Sequence, residues 1–253
     1  MSEAAICLVT FDVDGTLIES EGESSNKMHK DAFAASFEKI FGLKTSIDCV
    51  NHHGMTDPLI IQSVLQHHNV SLDGVEAKMA AVQEAMVEHA QQAKGEAGAG
   101  LRALPGVEKL LNRLKAFKGF VVGLTTGNLE PIAWLKMEGL GLKGSFTLPL
   151  VGGFGSDYWG KDISKGGDDR AQLLRIARKR ARKASMATSV KHIHVGDSPY
   201  DIQAAALSHC DACIGVTTVS LPSPLSPSLP LCLSVSLSLS RDTIRRDPPP
   251  TTA

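Results

Sequence analysis

The stretch LVTFDVDGTLIES, beginning at Leu8, constrains what this chain can fold into more than any other. From Ala4 to Phe11 the residues are apolar or β-branched, with no polar alternation. That is the pattern of a strand buried on both faces, and such strands belong to parallel sheets covered by helices. The run ends on two acids, Asp12 and Asp14, followed by Gly15 and Thr16. Residues i and i+2 of a strand share a face, so both carboxylates can point into one pocket at the strand's C-terminal edge. Open parallel α/β sheets bind ligands at that edge. Gly15 permits the sharp turn away from the sheet. Two anions about 4 Å apart repel by about 4 kcal/mol at an effective dielectric of 20. A proton, a cation or both must offset that repulsion.

Downstream of Thr16 the pattern changes. NKMHKDAFAASFEKIFG carries Met28, Ala32, Phe33, Ala35, Phe37 and Ile40 at helical spacing, with Gly42 as the stop. TDPLIIQSVLQHHN predicts a second helix, capped by Thr56 or Asp57 with Pro58 in its first turn. GVEAKMAAVQEAMVEHAQQAK predicts a third. The Gly/Ala composition of KGEAGAGLRALPGVEKLL then reads as a hinge or crossover. Beyond it, helix and strand alternate. Helices are expected over Val107–Phe117, Pro131–Met137, Arg170–Ala184 and within SPYDIQAAALSHC, and strands in GFVVGLTTGN, SFTLPLVGG, VKHIHVGDS and ACIGVTT. Repeated βα units predict an α/β fold, a Rossmann-like parallel sheet with helices on both faces. The helical block is an insertion after the first strand. The expected division is 1–18 and 102–217 for the core, 19–101 for a helical cap and 218–253 for a tail. That tail is Ser-, Leu- and Pro-rich, without period, and is expected to be disordered. Its Ser-Leu alternation is also what a TC dinucleotide repeat encodes, so read-through into non-coding sequence is a second account.

Two further strand ends carry polar residues. VVGLTTGN brings Thr125, Thr126, Gly127 and Asn128 to one of them, where a hydroxyl and backbone N–H groups can cradle a phosphate. HIHVGDSPYDIQAA brings Asp197 to another, with Asp201 at the start of the next helix. Asp197 beside Asp12 makes an oxygen-rich site suited to Mg²⁺.

The bulk properties exclude several classes. A net charge of -1 over 253 residues gives no field favouring nucleic acid or a membrane surface. The basic run RIARKRARK alternates with Leu173, Leu174, Ile176 and Ala177, so it reads as the solvated face of a helix. No apolar run is long enough for a membrane span. Cys210 and Cys213 form a C-x-x-C with no second pair, which reads as structural thiols in a reducing setting. With no room for a signal peptide before the first strand, a cytoplasmic location is expected. Adjacent histidines do not share a helix face, so His52-His53 and His67-His68 do not make a second metal site, though His53 and Thr56 could face substrate.

FDVDGTL, LTTGN and VGDSPYDIQAA, in that order and with a helical insertion after the first, resemble the haloacid dehalogenase-like hydrolase superfamily. HHGMTDPLI and ALPGVEKLLNRL resemble its helical-cap, phosphoglycolate phosphatase-like branch. The resemblance implies a Mg²⁺-dependent phosphatase acting on a small phosphorylated metabolite. Asp12 would be the nucleophile that forms an aspartyl-phosphate, and Asp14 the general acid and then base. The Asp12 carboxylate, the Asp14 main-chain carbonyl and Asp197 would hold the metal, with Asp201 a further candidate ligand. Thr126 would bind a phosphoryl oxygen, with Gly127 and Asn128 beside it. The family also places a basic residue before the helix leading to the last motif. Arg170 is the first candidate, and Lys165 and Lys161 are the others. A sugar-phosphate mutase would use the same core. An inactive product is the other alternative, because the family's core continues where this chain enters its Ser/Leu/Pro tail.

Overall fold

A computed structural model describes residues 5–22, 24–216 and 232–235. Strand β1 spans Ala5–Phe11, β2 Ile18–Ser20, β3 Leu101–Ala103, β4 Phe120–Thr126, β5 Gly152–Phe154, β6 Ser189–Gly196, β7 Ala212–Val216 and β8 Cys232–Val235. Helix α1 spans Lys27–Phe41, α2 Asp57–His67, α3 Leu72–Gln92, α4 Val107–Ala116, α5 Glu130–Gly139, α6 Gly166–Ala184 and α7 Pro199–Leu207. Six strands form one parallel sheet in the order β5-β4-β1-β6-β7-β8. The expected α/β architecture is therefore present.

The strands are apolar on both faces because both faces are covered. Val9, Phe11, Val122 and Leu124 pack with Val107 and Leu111 of α4 and Ala133, Trp134 and Met137 of α5. Their neighbours in sequence, Leu8 and Val121, face the other way, against Ala177 and Ala181 of α6. A period of two thus divides each central strand between two helical layers.

Helices α1, α2 and α3 build a second apolar cluster from Phe33, Phe37, Ile61, Leu65, Val75, Val82 and Met86. Gly42 ends α1 at φ 67, a left-handed C-cap that glycine adopts without steric cost. The cluster also takes in Leu129, Ile132 and Leu135 from the start and middle of α5. Helix α5 is therefore clamped between the sheet and the three-helix layer, which is why every residue from Ile132 to Met137 is buried.

Four features depart from the sequence expectations. The chain enters and leaves the helical insertion through an antiparallel ribbon, Ile18–Ser20 against Leu101–Ala103. Within the segment read as a hinge or crossover, Leu101–Ala103 enters this pairing, and the expected boundaries at 19 and 101 fall inside paired strands. In SFTLPLVGG only Gly152 onward joins the sheet, because Pro149 has no N–H to donate to a ladder. Helix α6 begins at Gly166, four residues before the expected Arg170, so Arg170 lies one turn inside it. In the stretch read as a tail without a fold, Cys232–Val235 pairs in parallel with β7. The edge of β7 offers unpaired N–H and C=O groups, and any extended segment can satisfy them. The remaining residues of 217–253 lie outside the described residues. Among the described residues, no helix is long and apolar enough to cross a membrane.

Candidate active site

The site forms where β1, β4 and β6 end side by side. Phe11 is in register with Leu124 of β4 and with Val195 of β6. Asp12 follows β1 directly, and its N–H still donates to Val195 O at 2.9 Å. Gly15 turns the chain with φ +91. A Cβ there would lie 2.4 Å from Asp197 Oδ2, so only glycine lets the loop after β1 approach the carboxylate at the end of β6. Thr16 Oγ1 then donates to Asp197 Oδ1 at 2.9 Å. The D-x-D-G-T string thus places one carboxylate and fixes the orientation of another far along the chain.

Asp12, Asp197 and Asp201 each offer an oxygen within 4.8 Å of the others. Asp12 is 4% exposed, and its Oδ1 has no hydrogen-bond partner among the described residues. Burial, and then the neighbouring Asp201, Asp197 and Asp14 charges, raise its carboxyl well above the ordinary range against the pull of Arg170. Burial and Asp201 likewise push Asp197 up to about 6. Asp201 differs. Burial would raise it, but Arg170 and His194 hold it well below the usual carboxylate range. Its Oδ1 accepts from Arg170 Nη1 at 2.6 Å, and its Oδ2 accepts from Ser198 N at 3.0 Å and Ser198 Oγ at 2.6 Å. It closes a capping box at the start of α7, so its oxygens are committed to protein donors.

Arg170 is brought into this cluster and Lys165 is not. Arg170 is 7% exposed, with Nη1 3.6 Å from Asp12 Oδ1 and Nε donating to Gly54 O at 3.0 Å. Because α6 starts one turn early, the first turn carries Arg170 inward toward Asp12 and Asp201. Lys165 sits exposed at the helix's N-terminal edge, 3.3 Å from Asp162. Lys165, expected as a substrate-binding residue, is not among the residues that line the cavity. Lys161 is also elsewhere, paired with Glu76.

Across the site, Thr126, Gly127 and Asn128 end β4 as expected. Asn128 Nδ2 donates to Thr126 Oγ1 at 2.9 Å, which leaves the hydroxyl's own proton free to donate elsewhere. Asn128 Nδ2 also reaches Asp14 Oδ2 at 2.8 Å. Asp14 carries a second partner that sequence reading missed, Lys136 Nζ, at 2.9 Å from Oδ1 and 2.8 Å from Oδ2. Burial would raise the Asp14 carboxyl, but Lys136 and Asn128 bring it below its ordinary value.

The helical layer closes over these groups. Met55 O and Thr56 Cα would lie 2.8 Å and 2.9 Å from a Cβ at position 127, so Gly127 is what lets the α2 entry touch the end of β4. Asp57 fastens the contact. Its N–H donates to Gly127 O at 2.8 Å, while its Oδ2 accepts from Leu129 N at 2.8 Å and pairs with His29 Nε2 at 3.0 Å. No local pattern links His29 to Asp57. A cavity of about 700 Å³ remains between the layers. Asp12, Asp14, Thr126 and Arg170 line it from below, and His29, Lys30 and His53 line it from above. Thr56 is instead fully buried at the head of α2.

Four carboxylates, Asp12, Asp14, Asp197 and Asp201, meet two cations, Arg170 and Lys136. If all are ionised, two negative charges are left over, and a divalent cation matches them. An orphaned, buried Asp12 oxygen beside Asp197 is the hard donor set that Mg²⁺ prefers.

Residues 6–209 match the family described as haloacid dehalogenase-like hydrolase. No curated protein matches the chain significantly. Among solved structures, a haloacid dehalogenase-like hydrolase from Bacteroides fragilis is 16% identical, with a TM-score of 0.57 covering 92% of this chain and 98% of that one. A hydrolase from Pseudomonas syringae is 19% identical, with a TM-score of 0.52 covering 83% and 84%. At these identities the two structures share the fold. With the family match spanning most of the sequence and the three strand-end motifs gathered at one sheet edge, the chain belongs to the haloacid dehalogenase-like hydrolase family.

Proposed function

We propose that this protein is a phosphatase that hydrolyses a small-metabolite phosphomonoester through an aspartyl-phosphate on Asp12. The observation that carries the reading is the environment of Asp12: a buried carboxylate at the floor of a cavity, whose Oδ1 accepts no hydrogen bond among the described residues and faces Arg170 Nη1 at 3.6 Å.

In this reading the Asp12 carboxylate attacks phosphorus, and the bond to the alcohol oxygen breaks. Arg170 offers N–H donors and positive charge where the transferring group gathers negative charge. Thr126 donates its free hydroxyl proton to a phosphoryl oxygen. Asp14 serves the oxygens that enter and leave: as an acid it protonates the departing alcohol, and as a base it takes a proton from the water that cleaves the acyl phosphate. The arrangement with Lys136 supports the base form directly, because Asp14 is ionised beside an ammonium. Asp12, Asp197 and the Asp14 carbonyl would hold Mg²⁺, which supplies charge neutralisation on the transferring phosphoryl group. Asp201 supports the site at one remove, by holding Arg170. The helices between the two ribbon strands act as a cap, residues 19–101, over a core of 1–18 and 102–217. Their role is to exclude water and select the alcohol part of the substrate.

The test is a screen of small phosphorylated metabolites with and without Mg²⁺, beside Asp12→Asn. The reading expects Mg²⁺-dependent release of inorganic phosphate by the wild type and none above background by D12N. Equal turnover by D12N removes the nucleophile assignment.

A further inference from the structure

Lys136 lies in the middle of α5, and its side chain is 0% exposed. Burying an ammonium costs several kcal/mol unless its donors are fully matched. Here they are. Three N–H donors face three acceptors: Asp14 Oδ1 at 2.9 Å, Asp14 Oδ2 at 2.8 Å and Asn128 Oδ1 at 3.3 Å. Trp134, Leu135 and Met137, its neighbours along the helix, are buried among apolar groups. The helix is held on two sides, so the ammonium has a fixed address.

Asp14, by contrast, sits on the loop after β1. Its carboxylate is gripped on one side by Lys136 and Asn128. Its side chain is still 39% exposed and lines the cavity. One edge of the group is anchored and the other is presented to substrate. The anchor also communicates with the phosphate side, because Asn128 Nδ2 bonds both Asp14 Oδ2 at 2.8 Å and Thr126 Oγ1 at 2.9 Å. A chain of contacts therefore runs from Lys136 through Asp14 and Asn128 to the Thr126 hydroxyl.

We propose that Lys136 is a positioning residue, which fixes the Asp14 carboxylate at the distance and angle needed for proton exchange with the ester oxygen of the substrate. The inference rests on the acid–base reading of Asp14 given above. Lys136 acts through Asp14 and does not touch substrate. Proton transfer needs heavy atoms within about 2.6–3.2 Å, and a misplacement of about 1 Å can cost about 100-fold in rate. The damage from losing Lys136 is therefore selective. An alkyl alcohol leaves as a strong base and needs its proton from Asp14. A p-nitrophenolate leaves without one. Lys136 matters for the first kind of ester and little for the second.

The experiment measures kcat/KM of wild type and Lys136→Met for p-nitrophenyl phosphate and for glycerol 2-phosphate. K136M loses at least about tenfold more on the alkyl ester than on the aryl ester. Because K136M strips the partner from a half-buried carboxylate, Asp14→Asn and the double variant D14N/K136M are measured beside it. The amide needs no counter-charge. On the D14N background, K136M changes alkyl turnover by less than about twofold, since residues acting as one unit do not add. Equal losses on both esters, or an effect on the D14N background as large as on wild type, overturn the proposal alone. A wild type that turns over neither ester overturns the phosphatase reading and this proposal together.

Discussion

Gly15 and Asp197 are in contact across the gap between β1 and β6: a Cβ on residue 15 would lie 2.4 Å from Asp197 Oδ2, at a backbone φ of +91. The turn after β1 and the acid at the end of β6 therefore depend on one another. Gly15→Ala should cost about 1–2 kcal/mol from the left-handed backbone alone. It should also displace Asp197, and so weaken Mg²⁺ activation by more than the stability loss implies. Chemical denaturation and a Mg²⁺ titration of phosphatase turnover read the two effects separately.

Arg170 should behave as a charge that matters in the transition state. Arg170→Met is expected to lower kcat about 10²–10³-fold, the usual cost of removing one preorganised electrostatic donor. Arg170→Lys should recover little, because a single ammonium cannot serve Asp12, Asp201 and Gly54 O at once. Steady-state kinetics on one substrate checks both.

Asp57 fastens the helical layer to the end of β4. Asp57→Ala leaves the Leu129 N–H and buried His29 without their acceptor. The expected destabilisation is about 1–3 kcal/mol, seen as a lower urea midpoint at unchanged slope. In the phosphatase assay KM should rise more than kcat falls if, as proposed, the loosened layer is the one that selects the alcohol part of the substrate.

Stability of the metal-free protein should carry a defined pH signature. Asp197 is raised to about 6, and Asp12 is raised as well, so both bind protons more tightly when folded. The Asp197 contribution is full below the ordinary carboxylate value and is lost as pH rises through about 6, and the Asp12 contribution is likewise lost as pH rises through its own raised value. Asp14 and Asp201 are lowered and have the opposite sign, with stability present above the ordinary value and lost only in stronger acid. On the proposed reading, Mg²⁺ would compete with the protons on Asp12 and Asp197. The gain in Tm on adding Mg²⁺ should therefore be small near pH 5 and large near pH 7.5, as thermal melts at the two values would show.

Much of this site was legible in the sequence because strands make it legible. Asp12, Thr126 and Asp197 each follow an apolar run that can only be a buried strand, and a parallel sheet brings such ends to one edge. Arg170 was legible by its distance before the last motif, and what separates its position from that of Lys165 is that α6 begins at Gly166. Lys136 was hidden, because a lysine in a helix ordinarily reads as surface. The available signal was that its neighbours Ile132, Ala133, Trp134, Leu135 and Met137 are all apolar. His29 and Asp57 are 28 residues apart with no shared period, and the β2–β3 ribbon joins three-residue strands 83 residues apart at Glu19 and Arg102. Contacts of that kind are made by packing, and no local pattern announces them.

The most direct test of the account is to trap the covalent intermediate. Wild-type protein is mixed with Mg²⁺ and a phosphomonoester that it hydrolyses, quenched in acid within the first turnovers, digested and mapped by mass. The account predicts one phosphoryl group on the peptide that contains Asp12, and none on that peptide from D12N. A D12N protein that still releases phosphate at the wild-type rate, with no phosphoryl group on the Asp12 peptide of either protein, would contradict it.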